Sequence, residues 1–204
     1  MNLDWTMLGR RAETMLFALE RIGEGAIIVE TGCARATDNW AGDGMSTLVF
    51  GEWARDHGGG LWSVDIDPDH VAMAQEMTRE MPVHVELGDS VAFLENGRYG
   101  AIDLLYLDSL DYPHGALLDL HGEHLGEMTE DEIVALHGDL VLPSQEHCAA
   151  ELVAALPRLH RDSVVLIDDA ALPGGGKARL ARQVLIEEGW RCAMDAYQTL
   201  WVRS

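Results

Sequence analysis

Short apolar segments alternate with amphipathic segments along the chain. Ala26–Val29 is wholly apolar, a pattern typical of a parallel strand that is covered on both faces. The segment before it, Trp5–Ile22, carries apolar residues at helical spacing and is followed by Gly23, which favours the end of a helix. The predicted strands are Ala26–Val29, Leu61–Val64, Pro82–Glu86, Ala101–Leu107, Val164–Ile167, Trp190–Ala196 and Gln198–Val202. The predicted helices are Trp5–Ile22, Met45–Asp56, Pro68–Glu80, Ser90–Glu95, Glu130–His137, Ser144–Leu156 and Lys177–Glu188.

This order of elements predicts an α/β fold. Strands that alternate with helices indicate a Rossmann-like, doubly wound, mostly parallel sheet of seven strands, and the last two strands predict a C-terminal antiparallel hairpin. We expect residues 1–25 to form an N-terminal helix and residues 26–204 to form a single domain. A polar insertion at about 112–143 is expected to cap the active site.

The charge of the chain excludes some classes of partner. The formal net charge is −21, and Lys177 is the only lysine among 204 residues. Such a chain repels phosphate backbones and anionic membranes, so we expect a small-molecule substrate rather than nucleic acid or a membrane. Three widely spaced cysteines argue against a disulfide framework, and the N-terminus lacks the apolar core of a signal peptide. Together these features predict a cytoplasmic location.

Acidic residues follow each of the first five predicted strands. In a parallel sheet the carboxyl ends of the strands lie at one edge, where ligands bind. Carboxylates gathered there repel one another unless a cation or a hydroxyl-rich ligand lies between them. The strand ends are Glu30–Gly32, Asp65–Asp67, Gly88–Ser90, Asp108 and Asp168–Asp169.

The glycine pattern after the first strand distinguishes between nucleotide cofactors. A dinucleotide site needs G-x-G-x-x-G, but Gly32 is followed by Cys33-Ala34-Arg35-Ala36-Thr37. A pyrophosphate would therefore fit poorly. A neutral or cationic nucleoside such as S-adenosylmethionine needs no phosphate turn, and Asp65 is suited to the ribose hydroxyls.

Several motifs at these strand ends resemble those of a known family. Ile28-Val29-Glu30-Thr31-Gly32, Ser63-Val64-Asp65-Ile66-Asp67-Pro68 and Gly88-Asp89-Ser90 look like the successive motifs of class I S-adenosylmethionine-dependent methyltransferases. Leu105-Tyr106-Leu107-Asp108-Ser109 and Leu166-Ile167-Asp168-Asp169 are similar to the metal-assisted O-methyltransferase branch. That branch includes catechol O-methyltransferase and the macrocin O-methyltransferase and cephalosporin hydroxylase group. The resemblance covers roughly Ala26 to Trp201.

The resemblance implies a set of site residues. It implies that Asp108, Asp168 and Asp169 bind a divalent cation, with Mg²⁺ favoured by an all-oxygen ligand set. It also implies that S-adenosylmethionine contacts nine residues near the strand ends. These are Glu30, Thr31, Gly32, Asp65, Ile66, Gly88, Asp89, Ser90 and Asp108.

The expected reaction is metal-assisted methyl transfer to a hydroxyl of a diol, phenol or sugar. The metal would lower the pKa of the hydroxyl while a base removes its proton. Relatives carry Lys or His three residues after the first metal-binding acid, where this chain has Asp111. His114 and Lys177 are the alternative candidates for the base.

Two other possibilities are compatible with the sequence. The protein could bind the cofactor without catalysis, or it could perform divergent chemistry on the same fold. Apolar faces on the N-terminal helix and the terminal hairpin also suggest a possible homodimer. The loop 36–44 and the histidines of the insertion could contribute to the substrate pocket.

Overall fold

The computed structural model describes residues 4–40, 42 and 45–203. Its strands are β1 (Ile27–Thr31), β2 (Gly60–Asp65), β3 (Val83–Leu87), β4 (Ile102–Leu107), β5 (Leu159–Ile167), β6 (Trp190–Asp195) and β7 (Thr199–Arg203). Its α-helices are α1 (Ala12–Arg21), α2 (Ser46–His57), α3 (Pro68–Met77), α4 (Ser90–Asn96), α5 (His114–His121), α6 (Glu130–Ala155) and α7 (Ala178–Glu187). Short 3-10 helices cover Trp5–Arg11, Gly122–Glu127, Leu156–Arg158 and Pro173–Gly175. Residues 1–3 of the predicted N-terminal helix, residues 41, 43 and 44 of the predicted loop, and residue 204 lie outside the described residues.

The seven strands form one sheet in the order β3-β2-β1-β4-β5-β7-β6. Neighbours among β1 to β5 pair in parallel, whereas β7 runs antiparallel to both β5 and β6. The predicted Rossmann-like sheet with a C-terminal antiparallel hairpin is thus confirmed. The strand order reverses between β1 and β4, so their carboxyl ends border the crevice where such sheets bind ligands.

Helices cover both faces of the sheet, and β4 shows how the two cores are built. Its side chains point alternately to opposite faces, as the period of a strand requires. Leu104 and Tyr106 pack in the core on the side of α1 and α2. Leu105 and Leu107 pack in the core on the side of α4, α6 and α7. Because both faces are buried, the strand is apolar from Leu104 to Leu107, which is why the sequence pattern located it.

Helix α6 differs from its prediction. The sequence predicts two helices separated by Gly138 and Pro143, but one 26-residue helix spans Glu130–Ala155. Only His137 departs from helical geometry, with φ −132° and ψ 28°. Gln145, Cys148 and Leu152 on this helix are buried. Their packing offsets the cost of a proline inside a helix, about 3 kcal/mol.

The N-terminal segment is also more complex than one helix. A 3-10 helix over Trp5–Arg11 precedes α1, and Gly9 breaks the helical backbone with a φ of 53°. Asp4 caps the 3-10 helix by accepting a hydrogen bond from the backbone N–H of Thr6 at 3.1 Å. As a result of this arrangement Arg11 is buried and reaches the edge of the sheet.

The insertion at 112–143 folds as α5, a 3-10 helix and the first half of α6. It has its own small core of Tyr112, Leu117, Leu125, Ile133 and Val141. A capping box joins Thr129 and Glu132 at the start of α6. None of the described helices is both long and apolar enough to cross a membrane.

Candidate active site

Two adjoining cavities open at the carboxyl ends of β1, β2 and β4. Their volumes are about 110 and 220 Å³. The walls that they share are formed by Gly32, Asp65, Ile66, Ser109 and Leu110. The first cavity extends toward Gly88, Asp89, Ser90 and His147. The second extends toward Cys33, Arg35, Ser46, Asp67, His70, Asp108 and Asp111.

Gly32 is required by the close approach of two strand ends. Its φ is +81°, and a Cβ atom there would lie 2.4 Å from the backbone oxygen of Asp108. The space beside Gly32 is therefore filled by the chain that follows β4. Any larger residue would push β1 and β4 apart and change both cavities.

Asp65 lies at the boundary of the two cavities, where β2 ends. Its Oδ2 accepts a hydrogen bond from the backbone N–H of Cys33 at 3.1 Å, and its Oδ1 accepts one from Asp67 at 2.9 Å. The Nδ1 atom of His70 lies 3.4 Å from Oδ1. These contacts fix the carboxylate while leaving lone pairs for the hydroxyls of a ligand.

The far end of the first cavity combines apolar and polar groups. Ile66 is 77% exposed and Leu110 is 44% exposed, and both line the wall. Asp89 caps α4 by accepting a hydrogen bond from Ala92 N–H at 2.8 Å, and Ser90 Oγ lies 3.0 Å from His147 Nε2. A flat heterocycle with polar edges suits aliphatic walls with hydrogen-bonding groups at one end.

His147 is held in place by a buried acid of the same helix. Its Nε2 lies 3.4 Å from Glu151 Oε1. Ser109 Oγ donates a hydrogen bond to that same oxygen at 2.6 Å. The contact with Glu151 raises the pKa of His147 above its usual value. Helix α6 therefore contributes polar groups to a cavity that the sequence assigned only to strand ends.

Glu30, predicted as a cofactor contact, lies beneath the cavities and is not among the residues that line them. The side chain is fully buried and accepts hydrogen bonds from Ser46 Oγ at 2.5 Å, Ser63 Oγ at 2.6 Å and Thr47 Oγ1 at 2.7 Å. Burial raises its pKa to about 7, although these three hydroxyls oppose the rise. Thr31 is likewise buried away from both cavities, and its backbone oxygen accepts a hydrogen bond from Asp108 N–H. Both residues contact the chain segments that form the cavities.

Replacing Glu30 with glutamine is expected to change how stability depends on pH. The folded state holds the Glu30 proton to about pH 7, whereas the unfolded chain releases it near its ordinary value of 4.5. The wild type therefore loses stability as pH rises between these two values, by about 3 kcal/mol in total for this group. Urea denaturation of both proteins at intervals between pH 5 and 8 measures the effect. The stability of Glu30→Gln relative to wild type should increase with pH; parallel curves would contradict the assignment.

The three acids predicted to bind a metal do lie near one another, at the ends of β4 and β5. Lys177 Nζ lies 2.5 Å from Asp108 Oδ1 and 3.5 Å from Asp169 Oδ2. Arg11 Nε donates to Asp168 Oδ2 at 2.8 Å, and Tyr106 OH donates to the same oxygen at 3.1 Å.

The charges within this acid cluster depend on one another. Burial opposes the charge on Lys177, but the carboxylates of Asp108, Asp169 and Asp168 outweigh it and raise the pKa of the ammonium. Burial raises the pKa of Asp108, and Lys177 opposes that rise. Burial also acts against the charge on Asp168, but Arg11 and Lys177 lower its pKa below the usual range. The cluster thus depends on two cations that belong to the chain itself.

This donor set does not fit a divalent cation. An ion bound to Asp108 and Asp169 would need oxygen distances of about 2.0–2.6 Å, and the Lys177 ammonium already contacts both carboxylates. Within residues 4–40, 42 and 45–203, no group of three or more His, Cys, Asp or Glu side chains is arranged to hold a metal ion. The Mg²⁺ site predicted at Asp108, Asp168 and Asp169 is therefore not supported, because the side chain of Lys177 lies against Asp108 and Asp169.

The three candidate bases lie in different surroundings. Asp111 lines the second cavity, but Arg35 holds it through Nη1–Oδ2 and Nη2–Oδ1 contacts of 2.8 and 3.1 Å. Although partial burial acts the other way, this pairing lowers the pKa of Asp111 and makes it a poor base at neutral pH. Lys177 is 2% exposed and its raised pKa keeps it protonated, which does not suit a base either. His114 lines neither cavity.

The histidines of the insertion line neither cavity. His121 Nε2 lies 2.5 Å from His137 Nε2, across the insertion, whereas His124 is exposed and contacts Glu127. Of the loop 36–44, Trp40 packs against the core beside α1 and α2. The role of this loop as a substrate wall stays a prediction.

Several site residues were not found by sequence reasoning. His70, Arg35 and Ser46 line the second cavity, and His147 lines the first. His70 and His147 lie on helices, at positions that indicate nothing more than a helix in the sequence. Arg11 lies on the N-terminal segment, 157 residues from its partner Asp168. Only the pairing of elements across the fold brings such residues to the site.

The fold matches solved structures of methyltransferases. CalS11, a calicheamicin methyltransferase, is 15% identical with a TM-score of 0.58, and the match covers 96% of this chain and 80% of that chain. Cofactor-bound Rv0187 from MTB is also 15% identical with a TM-score of 0.58, covering 94% of this chain and 79% of that chain. Fibrillarin from Aeropyrum pernix, with natively bound S-adenosyl-L-methionine, is 15% identical with a TM-score of 0.56, covering 97% and 76%. No protein-family model matches the sequence, and no curated protein is significantly similar to it.

These matches establish the fold of class I S-adenosylmethionine-dependent methyltransferases. They include CalS11, which is a TDP-rhamnose 3'-O-methyltransferase, and fibrillarin. The shared fold is thus common to proteins of different kinds, and it does not select the metal-assisted branch.

Proposed function

We propose that this protein is an S-adenosylmethionine-dependent methyltransferase that acts on a hydroxyl group of a small molecule. The observation that carries the proposal is the pair of adjoining cavities at the reversal of strand order, with Asp65 on the wall between them. Class I methyltransferases share this fold, and two of the matched structures were solved with their cofactor bound.

The two cavities differ in a way that fits the two ends of this cofactor. We assign the adenine to the first cavity, between Ile66 and Leu110 and next to Ser90 and His147. Asp65 would accept hydrogen bonds from the ribose hydroxyls at the boundary. The methionine end would lie in the second cavity, beside Gly32.

The second cavity suits a cationic group. When bound, S-adenosylmethionine supplies a methyl group on a positively charged sulfur. Its lining holds more acidic than basic residues, and the formal charge of the whole chain is −21. The acidic residues are Asp65, Asp67, Asp108 and Asp111, and the basic ones are Arg35 and His70. Carboxylates at close range stabilise a positive charge in a partly dry site.

A hydroxyl acceptor is supported by CalS11, which shares the fold and methylates the 3'-hydroxyl of a TDP-sugar. The Arg35–Asp111 pair lies beside the second cavity and supplies polar groups that a hydroxyl-rich molecule could contact. The proposed reaction does not involve a divalent cation at Asp108 and Asp169, because Lys177 lies against these acids.

Calorimetry and a transfer assay test this function together. Titration with S-adenosylmethionine and S-adenosylhomocysteine should each give one binding site per chain. Transfer of a tritium-labelled methyl group should then be measured on panels of nucleotide sugars, phenols and diols. The absence of binding by both compounds would contradict the proposal. Binding without transfer to any panel would favour a cofactor-binding protein that does not catalyse methylation.

Replacing Asp65 with alanine is expected to weaken binding of S-adenosylmethionine by about 10- to 100-fold. Hydrogen bonds to a charged group contribute about 1.5–3 kcal/mol, and the ribose would lose this acceptor. Asp69→Ala is the matched control, because it removes the same charge from an exposed position four residues away that lines neither cavity. Calorimetry on both variants checks the expectation. Equal loss of affinity in the two would point to long-range charge instead of a ribose contact.

A further inference from the structure

Lys177 is the one lysine of the chain, and it lies inside the acid cluster of Asp108, Asp168 and Asp169. The side chain is 2% exposed. A lysine is almost never fully buried unless it is paired, because an ammonium loses its hydration there. Its ion pairs with Asp108 and Asp169 are therefore required for it to stay in place.

The backbone before Lys177 is fixed at two points. Gln145 on α6 donates from Nε2 to the backbone oxygens of Gly174 and Gly176, at 2.9 and 3.0 Å. On the opposite side, a Cβ atom on Gly176 would lie 1.7 Å from the backbone oxygen of Asp169. The loop is thus pressed against the end of β5, and this contact determines where the lysine enters the cluster.

Arg11 completes the charge balance from the N-terminal side. Its guanidinium binds Asp168, which is fully buried. Three carboxylates with Lys177 and Arg11 leave one formal negative charge. Two side chains of the chain itself therefore balance most of the negative charge of the cluster.

One oxygen of the cluster has no partner. Asp168 Oδ1 is buried and makes no hydrogen bond with any of the residues that the structure describes. With Lys177 absent, this oxygen, Asp108 Oδ1 and Asp169 Oδ2 would all lack a cationic partner. Oxygen atoms of this kind are the ligands that Mg²⁺ and Mn²⁺ prefer.

We propose that the ammonium of Lys177 is the resident cation of this acid cluster and takes the place of a divalent metal ion. The cluster of the wild-type protein then binds no divalent cation, and removal of the lysine converts it into a site that does. This inference concerns the cluster alone and holds whether or not the cavities bind S-adenosylmethionine.

Binding of Mn²⁺, followed by electron paramagnetic resonance in the absence of cofactor, tests the proposal. The variants are Lys177→Met, which keeps the length of the side chain without its charge, and Lys177→Arg, which keeps the charge. Moderate salt is needed, because a chain of charge −21 attracts cations over its whole surface. Lys177→Met should bind one Mn²⁺ at least about tenfold more tightly than wild type or Lys177→Arg.

A double variant identifies where the ion binds. Adding Asp108→Asn to Lys177→Met should abolish the gained site while leaving diffuse surface binding unchanged. If Lys177→Met is unfolded alone, recovery of its folded circular dichroism spectrum in Mn²⁺ supports the same conclusion.

Two results would overturn the proposal. One is a single Mn²⁺ site in the wild type that Asp108→Asn removes. The other is a Lys177→Met protein that gains no Mn²⁺ site, whether it is folded or stays unfolded in Mn²⁺.

Discussion

Replacing Arg11 with methionine is expected to destabilise the protein by about 3–5 kcal/mol, the usual cost of removing one partner of a buried ion pair. The Arg11 side chain is 7% exposed, and its Nε lies 2.8 Å from Asp168 Oδ2. Asp168 is fully buried next to two further acids, and without Arg11 its carboxylate would lose the partner that most opposes the effect of burial. Urea denaturation at neutral pH, followed by circular dichroism, measures the loss.

Arg10 provides the matched control for this experiment. It precedes Arg11, is exposed, and places its guanidinium 3.8 Å from the centre of the Tyr197 ring. Arg10→Met is expected to cost at most about 1 kcal/mol, the usual value of an exposed cation–π contact. Similar losses in the two variants would show that the Arg11–Asp168 pair is not what stabilises the N-terminal segment on the sheet.

A double variant separates lost charge pairing from lost packing. Asp168→Asn removes the carboxylate that Arg11→Met leaves unpaired, so the double variant should be more stable than Arg11→Met alone. If the stability that the double variant loses relative to wild type equals the sum of the two single losses, the two side chains act independently.

The strands could be predicted from the sequence because a strand that is buried on both faces appears as a short run of apolar residues. The run Ile27–Val29 and the segment Leu104–Leu107 are apolar on both faces, since helices cover both faces of the sheet. The predicted first and last residues of the strands were less accurate. β5 begins at Leu159, five residues before its prediction, because His160, Arg161 and Asp162 lie at an open end of the sheet and carry no apolar pattern.

The grouping of acidic residues at the carboxyl ends of the strands could also be predicted from the sequence. Parallel strands bring their carboxyl ends to one edge, so Asp65, Asp89 and Asp108 could be placed near one another by counting strands. Their partners could not be found in this way. Whether Asp108 faces a metal ion or Lys177 depends on a loop 69 residues later, whose path is set by contacts with α6 and β5.

A substitution in the glycine loop before Lys177 is also expected to cause a large loss of stability. Gly176→Ala should cost more than about 4 kcal/mol or prevent folding, a loss confined to a few specific mechanisms. The backbone there has φ 55° and ψ −155°, a conformation that residues with a Cβ atom rarely adopt. The new Cβ would also lie 1.7 Å from the backbone oxygen of Asp169, and backbone cannot move aside as a flexible side chain does.

A variant at Gly122 serves as a control that has the strained backbone of Gly176→Ala without its steric overlap. It has nearly the same backbone conformation, φ 54° and ψ −132°, but no atom lies within 4 Å of the position that its Cβ would take. Gly122→Ala should therefore show the cost of the backbone alone, about 1–3 kcal/mol. The difference between the two variants in urea denaturation measures how tightly the loop is pressed against Asp169. If Gly122→Ala and Gly176→Ala lose equal stability, the loop has room to move, and Lys177 is not held in the acid cluster by its backbone.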